Sequence, residues 1–245
     1  MHKFIDFIKK RKKTIVAVSA AAICGMLSFG GISKSLAYLT DAETMNNVVT
    51  IGDVEMELTE PNWPGNNSDT VKNQLGNQET PKNPTIKNTG TNDAVVFLRM
   101  TVPVAEVTPV SDTGTLGTKA RQELYYFKKT ADTAQTHANN FYADWIELPT
   151  KETGTDMSAA TRTYVFGYKT RVTANQSTDP LFDKIQLKNL LEGSLPSKTS
   201  ESIKLEAFAI QADEVISGDV VDTTGNMDAE ALTKVYTIYV TQNNK

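Results

Sequence analysis

The chain has 245 residues, a formal net charge of −4, 39% hydrophobic and 22% charged residues, one Cys and two His. That length suits one large domain or two small ones, and the apolar share supports a packed core, which excludes wholesale disorder. The charge balance gives nucleic acid no basic face to bind, and so few His and Cys leave a zinc site almost nothing to be made of. Thr is frequent, at 32 residues; its branched Cβ favours strands, so a β-rich protein is expected.

Met1–Lys13 carries Lys3, Lys9, Lys10, Arg11, Lys12 and Lys13 against Asp6 alone. The uncharged run Thr14–Phe29 follows, and Gly30 and Gly31 break it. Ser35-Leu36-Ala37 then places small residues at positions −3 and −1 of a cut before Tyr38. A charged n-region (1–13), an apolar h-region (14–29) and a small-x-small site are the layout of a helical signal peptide over residues 1–37. Its 16 uncharged residues fall short of the roughly 20 that span a bilayer, so cleavage is expected rather than anchoring. Ile23 is too bulky for the residue before a lipid-bearing Cys24. Cleavage removes seven bases and one acid, leaving 18 against 28, a net charge of −10, and it removes the only Cys. The expected product is one secreted, acidic, cysteine-free domain over 38–245, held by its core without a disulfide. Its membrane contact ends with the signal peptide.

Along that domain, short alternating runs are separated by turn residues. Val54, Met56 and Leu58 alternate with Glu55 and Glu57, giving one dry face and one wet one. Pro61–Gln78 reads as a loop, 84–88 as a short strand and Asn88-Thr89-Gly90 as a turn. Ala94–Val104 is the strongest strand, with Val96, Leu98, Met100, Val102 and Val104 on one face. Leu124–Phe127 and Phe141–Leu148 read as a hairpin around a slack polar tip, Thr130–Asn140. Thr163–Val172 alternates again, with Tyr164, Phe166, Tyr168 and Val172 on one side, and Ile185–Leu187 and Ile203–Ile210 follow the same rule. This spacing describes an all-β fold, an antiparallel jelly-roll-like β-sandwich. Helix is minor: one turn at Leu187–Leu191, and a start at Met227–Val235 with Asp228 and Glu230 at its N-terminus. Val235–Val240 fits either a continued helix or a last strand.

Chemistry is sparse. His137 is the only His after residue 37, in the polar tip, and reads as a surface residue, because a triad or zinc site needs a positioned imidazole with partners. No HExxH, GxSxG or phosphate-cradling glycine loop occurs. Asp213, Glu214, Asp219 and Asp222 lack the spacing of a calcium loop and read as a solvated acidic face. Trp63 and Trp145 read as core or rim. No catalytic residue, metal site or cofactor is expected. Leu148-Pro-Thr-Lys and Leu195-Pro-Ser-Lys only echo a wall-sorting LPxTG.

One stretch carries more information. Ala37-Tyr-Leu-Thr-Asp-Ala-Glu-Thr-Met-Asn-Asn47 followed by Ile51-Gly-Asp-Val-Glu-Met-Glu-Leu58 resembles the start of the TasA/camelysin-like family of Gram-positive exported proteins, which a SipW-type signal peptidase cuts. Pro84-Thr-Ile-Lys-Asn-Thr-Gly90, Asp93-Ala-Val-Val-Phe-Leu-Arg99, Ser177-Thr-Asp-Pro-Leu-Phe182 and Ala207-Phe-Ala-Ile-Gln-Ala212 extend the resemblance over the chain. It implies a signal cut at Ser35, Ala37 and Tyr38, and a jelly-roll subunit of extracellular biofilm-matrix fibres. It also implies an N-terminal arm, 38–51, that inserts as a strand into another copy of the chain or a related matrix subunit. Tyr38, Leu39, Val48, Val49 and Ile51 are the arm residues that would pair and fill pockets. The same arm has a second option, folding onto its own sheet as a first strand. Two other classes stay open: a camelysin-like extracellular protease, for which one His supplies no metal site, and a surface adhesin on the same fold.

Overall fold

The computed structural model describes residues 40–44, 47–49, 54–64, 75–154, 157–195, 202–215 and 225–243, which belong to one unit spanning Leu39–Lys245. The signal-peptide reading of 1–37 lies outside them. The organising strand is the apolar run Ala94–Val107, which we number β6. It pairs antiparallel with β10 (Thr161–Tyr168), from Thr161 against Pro103 to Gly167 against Phe97. On its other side lies β12 (Lys204–Gln211), from Lys204 against Thr101 to Gln211 against Ala94. Pro103 falls between the last β12 pair at Thr101 and the first β7 pair (Ala120–Glu123) at Val104, where no ladder donor is asked of it.

Around these stand β1 (Thr40–Thr44), β2 (Asn47–Val49) and β9 (Trp145–Glu147), completing a seven-stranded sheet of order β2-β1-β12-β6-β10-β9 with β7 on β6. A three-stranded sheet runs β4 (Glu79–Pro81), β11 (Lys184–Leu187), β8 (Tyr125–Lys128), and a two-stranded one pairs β3 (Met56–Thr59) with β5 (Thr85–Asn88). Every pairing is antiparallel. The main core draws on all three sheets: Val96, Leu98 and Phe166 from the large one, Phe127 and Ile185 from the second, Met56 and Ile86 from the third. Phe141 sits among them, 4.8 Å from Phe166 and 5.7 Å from Phe127 between ring centroids. The all-β, antiparallel expectation is what the molecule shows. Val54, Met56 and Leu58 are buried while Glu55 and Glu57 face solvent, as their alternation requires.

Three local expectations are corrected. First, β6 is buried on both faces: Val95 and Phe97 are as dry as Val96 and Leu98. The helix α2 (Ala229–Asn243; the short α1 is Ala212–Val215) covers the second face. Tyr236 meets Phe97 edge-on at 5.2 Å and Tyr239 lies 5.2 Å from Phe208. Gly167 lets the helix in, since a Cβ there would stand 3.0 Å from a Leu232 methyl. The ambiguous tail is therefore helix. Asp228 caps it, accepting from the Ala231 N–H at 2.8 Å. Thr233, Thr237 and Thr241 donate their hydroxyls to the carbonyls four residues back, so these poor helix formers are satisfied inside it.

Second, β8 and β9 are not a hairpin. Phe127 pairs with Ile185 on β11, and Ile146 pairs with Gly167 on β10. Residues 130–140 between them are tied down: Asn140 N–H donates to the Phe127 carbonyl at 2.7 Å, and carbonyls of Asp132, Thr133 and Ala134 take side-chain bonds from below. Third, Leu187–Leu191 makes no helical turn. The N–H groups of Leu187, Lys188 and Leu191 go to Gln78, Leu124 and Thr108, so tertiary partners take the bonds a helix would need. Among the described residues no helix is long and apolar enough to cross a membrane.

Candidate assembly edge

The N-terminal segment ends the large sheet. β1 pairs with β12 over five residues, Thr40 against Ile210 through Thr44 against Glu206. β2 turns back on β1, with Val49 opposite Ala42 and Val48 opposite Glu43. Two residues separate the strands, the commonest hairpin length. The arm read from sequence as one extended donor is therefore drawn here as a hairpin on its own sheet, the second of the two options. Val48 and Val49 lie in its outer strand. Tyr38, Leu39 and Ile51 fall outside the described residues, as do Ser35 and Ala37.

The strand beneath the hairpin is a nearly dry one. Leu205, Ala207, Ala209 and Ile210 of β12 are buried, and so is Glu206. That carboxylate is held from both sides: Arg99 Nε donates to it at 2.8 Å and Lys204 Nζ at 2.8 Å. Arg99 also donates to Glu152 at 2.6 Å, and Tyr236 of α2 donates its hydroxyl to the same Glu152 at 2.9 Å. The guanidinium lies over the Phe208 ring, 4.7 Å from its centroid. Burial pushes the Glu206 carboxyl up, but the bonds from Arg99 and Lys204 outweigh it and hold the group below its ordinary range. The outcome is a rigid floor: β12 is fixed by β6 on one side and by helix α2 above, while its other side is a ladder that, among the described residues, only the hairpin fills. Such a ladder accepts any strand of matching register.

The opposite edge is built differently. β9 has three residues, carries the exposed Glu147 and runs into Pro149 two residues later. A short, charged strand stopped by proline resists addition of another chain.

The remaining candidates are scattered. His137 Nε2 lies 3.0 Å from Asp112 Oδ2 on a half-open surface. Asp213 is 70% exposed and its nearest cation, Arg171, is 4.0 Å away; Asp219 and Asp222 lie outside the described residues. Trp145 is core, its indole N–H donating to the Asp179 carbonyl at 2.9 Å. Trp63 is half-buried under Lys82, whose ammonium is 4.6 Å from the ring. No group of three or more His, Cys, Asp or Glu side chains is placed to hold a metal among the described residues. What sequence reading missed is a set of buried charges, Lys128 with Glu79 and Lys184, and Lys82 with Glu60. Lys128 does sit at the end of an apolar strand, and that was the only signal. No family model, curated protein or solved structure matches this chain.

Proposed function

We propose that the chain is an exported structural subunit of extracellular fibres, a jelly-roll-like domain that assembles by donating its N-terminal hairpin to β12 of the next copy. The observation that carries the reading is the five-residue antiparallel register of β1 on β12, an edge that nothing else in the described fold covers. Support also comes from the resemblance of residues 37–58 to the TasA/camelysin-like family, from the apolar run before the Ser35-Leu36-Ala37 cut, and from a protected far edge at β9. Exchange of an identical element between copies preserves every pair while linking chains, and a head-to-tail contact of this kind extends into a filament. In this reading a SipW-type signal peptidase frees Tyr38, and the product remains outside the cell in the matrix.

The test compares two chains by electron microscopy and light scattering at matched concentration. The form beginning at Tyr38 should yield filaments, while one beginning at Asp53 should fold and stay monomeric. A synthetic Tyr38–Ile51 peptide should cap the vacant β12 edge and arrest growth of the longer form. Filaments from the Asp53 form as abundant as those of the Tyr38 form would refute strand donation.

A further inference from the structure

Away from the assembly edge, the molecule has an open depression of about 580 Å³ between the 109–117 turn, Tyr126 of β8 and the residues after β11. Its walls are rigid. Gly117 N–H donates to the Pro109 carbonyl at 2.8 Å, Val110 N–H to the Asn189 carbonyl at 2.9 Å, and Leu191 N–H to the Thr108 carbonyl at 2.9 Å. Four titratable side chains converge on it. Asp112 accepts from the Asn77 amide at 3.2 Å and faces His137 at 3.0 Å. The His137 ring leans on Tyr126, 5.6 Å between centroids, and the Lys188 ammonium lies 4.6 Å from the centroid of that same ring.

Lys188 is the feature that points to a ligand. Lys82, Lys128 and Lys184 each end on a carboxylate, whereas Lys129 and Lys188 lie over tyrosine rings. Lys188 makes no ion pair and no side-chain hydrogen bond among the described residues: burial pushes its ammonium's pKa down, and the attraction of Glu123, whose carboxylate is already held by Arg162 and Tyr164, only partly offsets this. A half-buried cation without a direct ion pair costs free energy that a bound anion recovers. Beside it the Asn189 side-chain amide is also without a partner among the described residues. The rim carries hydroxyls at Ser111 and Thr113 and an unusual exposed leucine, Leu116, 56% open to solvent.

We propose that this depression binds an acidic oligosaccharide, with one uronic-acid carboxylate on Lys188. The size suits one to two sugar rings, within the range of about 300–1,000 Å³ for small-molecule sites. Hydroxyl and amide groups on one wall match a sugar's polar edge, and Leu116 matches its apolar face. The choice of a sparse anion follows from charge. A domain of net −10 repels polyanions as dense as nucleic acid at long range, and a single half-buried cation suits a ligand with no more than one carboxylate per sugar ring. This inference is independent of strand donation, since the depression contains no residue of the hairpin.

The experiment titrates the Tyr38–Lys245 chain with trigalacturonic acid, following amide shifts by NMR, beside maltotriose and acetate as probes. Saturable shifts are expected at Asn77, Ser111, Leu116 and Asn189 with the acidic trimer alone. Lys188→Met keeps the stem against Tyr126 and removes the charge, so it should weaken binding by about tenfold or more, the loss of one charge-assisted bond. Leu116→Ala, an exposed change that cannot disturb folding through burial, should weaken it several-fold and serves as the check if Lys188→Met folds poorly. Absence of saturable binding overturns the proposal. So does equal binding of maltotriose, equal binding of acetate, or full affinity in both variants.

Discussion

Lys128 is fully buried, and all of its ammonium protons are engaged. Nζ donates to Glu79 Oε1 at 2.6 Å, to Gln186 Oε1 at 2.9 Å and to the Thr133 carbonyl. Replacing it by Met keeps most of the volume and removes all three donors. Gln186 Oε1 and the Thr133 carbonyl then lose a partner in a dry site, and Glu79 keeps only Lys184, at 2.8 Å. Breaking a buried ion pair costs about 3–5 kcal/mol. Glu79 remains 27% exposed and retains one cation, so the lower end applies, about 3 kcal/mol. For a domain of this size that lowers the Tm by roughly 6–12 °C. Urea and thermal unfolding followed by circular dichroism measure it. Adding Gln186→Leu should deepen the loss, because the Asn77 and Ala134 carbonyls then lose the Gln186 amide that donates to them at 3.1 and 3.0 Å. A Lys128→Met chain within about 0.5 kcal/mol of wild type would refute the view that this cluster holds residues 130–140 onto β8 and β11.

Leu98→Asp puts an unpaired charge between β10 and β12 in the driest part of the core, at a cost above about 4 kcal/mol, and soluble folded protein should be lost in a circular dichroism assay. Acid should also destabilise the domain. Burial raises the Glu79 and Glu206 carboxyls, but bonds from Lys128 and Lys184, and from Arg99 and Lys204, hold both below their ordinary value of 4.5. Stability from these groups is therefore complete above that value and falls as pH drops below it, so urea midpoints should decline between about pH 4.5 and 3. Glu79→Gln and Glu206→Gln together should flatten that decline; an unchanged slope would remove these carboxylates as its source.

Period-two alternation made β3, β5, β10, β11 and β12 legible, because each has one face on the main core. It could not reveal what lies on the other face. Val95 and Phe97 read as the outer side of β6 until α2 covers them, and α2 itself hides among Thr and Val residues whose helicity depends on back-bonded hydroxyls. The β8–β9 hairpin was misread for a related reason. Leu124–Phe127 and Phe141–Leu148 are close in sequence, yet the pairing is set by Phe127 and Ile185 meeting in the core, with 57 residues between them. Lys128, Lys184 and Gln186 share the polar face of that sheet, and only the fold shows that residues 132–134 lie across it. The depression near Lys188 was invisible for the same cause: Asp112, Tyr126, His137 and Lys188 come from four separate stretches.

Strand donation has an energetic condition that the register on β12 makes explicit. A hairpin on its own β12 and one on a neighbour's make the same backbone pairs, so exchange gains nothing from the ladder itself. The tethered hairpin competes at an effective concentration of order millimolar. Dilute chains therefore stay closed, and growth needs either local crowding or a surplus contact formed only between copies. The mature net charge of −10 opposes crowding at low salt, since like-charged subunits repel over roughly 10 Å at 0.1 M ionic strength. Two consequences separate donation from nonspecific aggregation. Filament yield should rise with salt across the range where that repulsion is screened, and it should vanish at any salt once residues 38–52 are absent. Aggregation through exposed apolar surface would share the first dependence but not the second, because the leucines open to solvent among the described residues, Leu75, Leu116 and Leu191, all lie outside the hairpin.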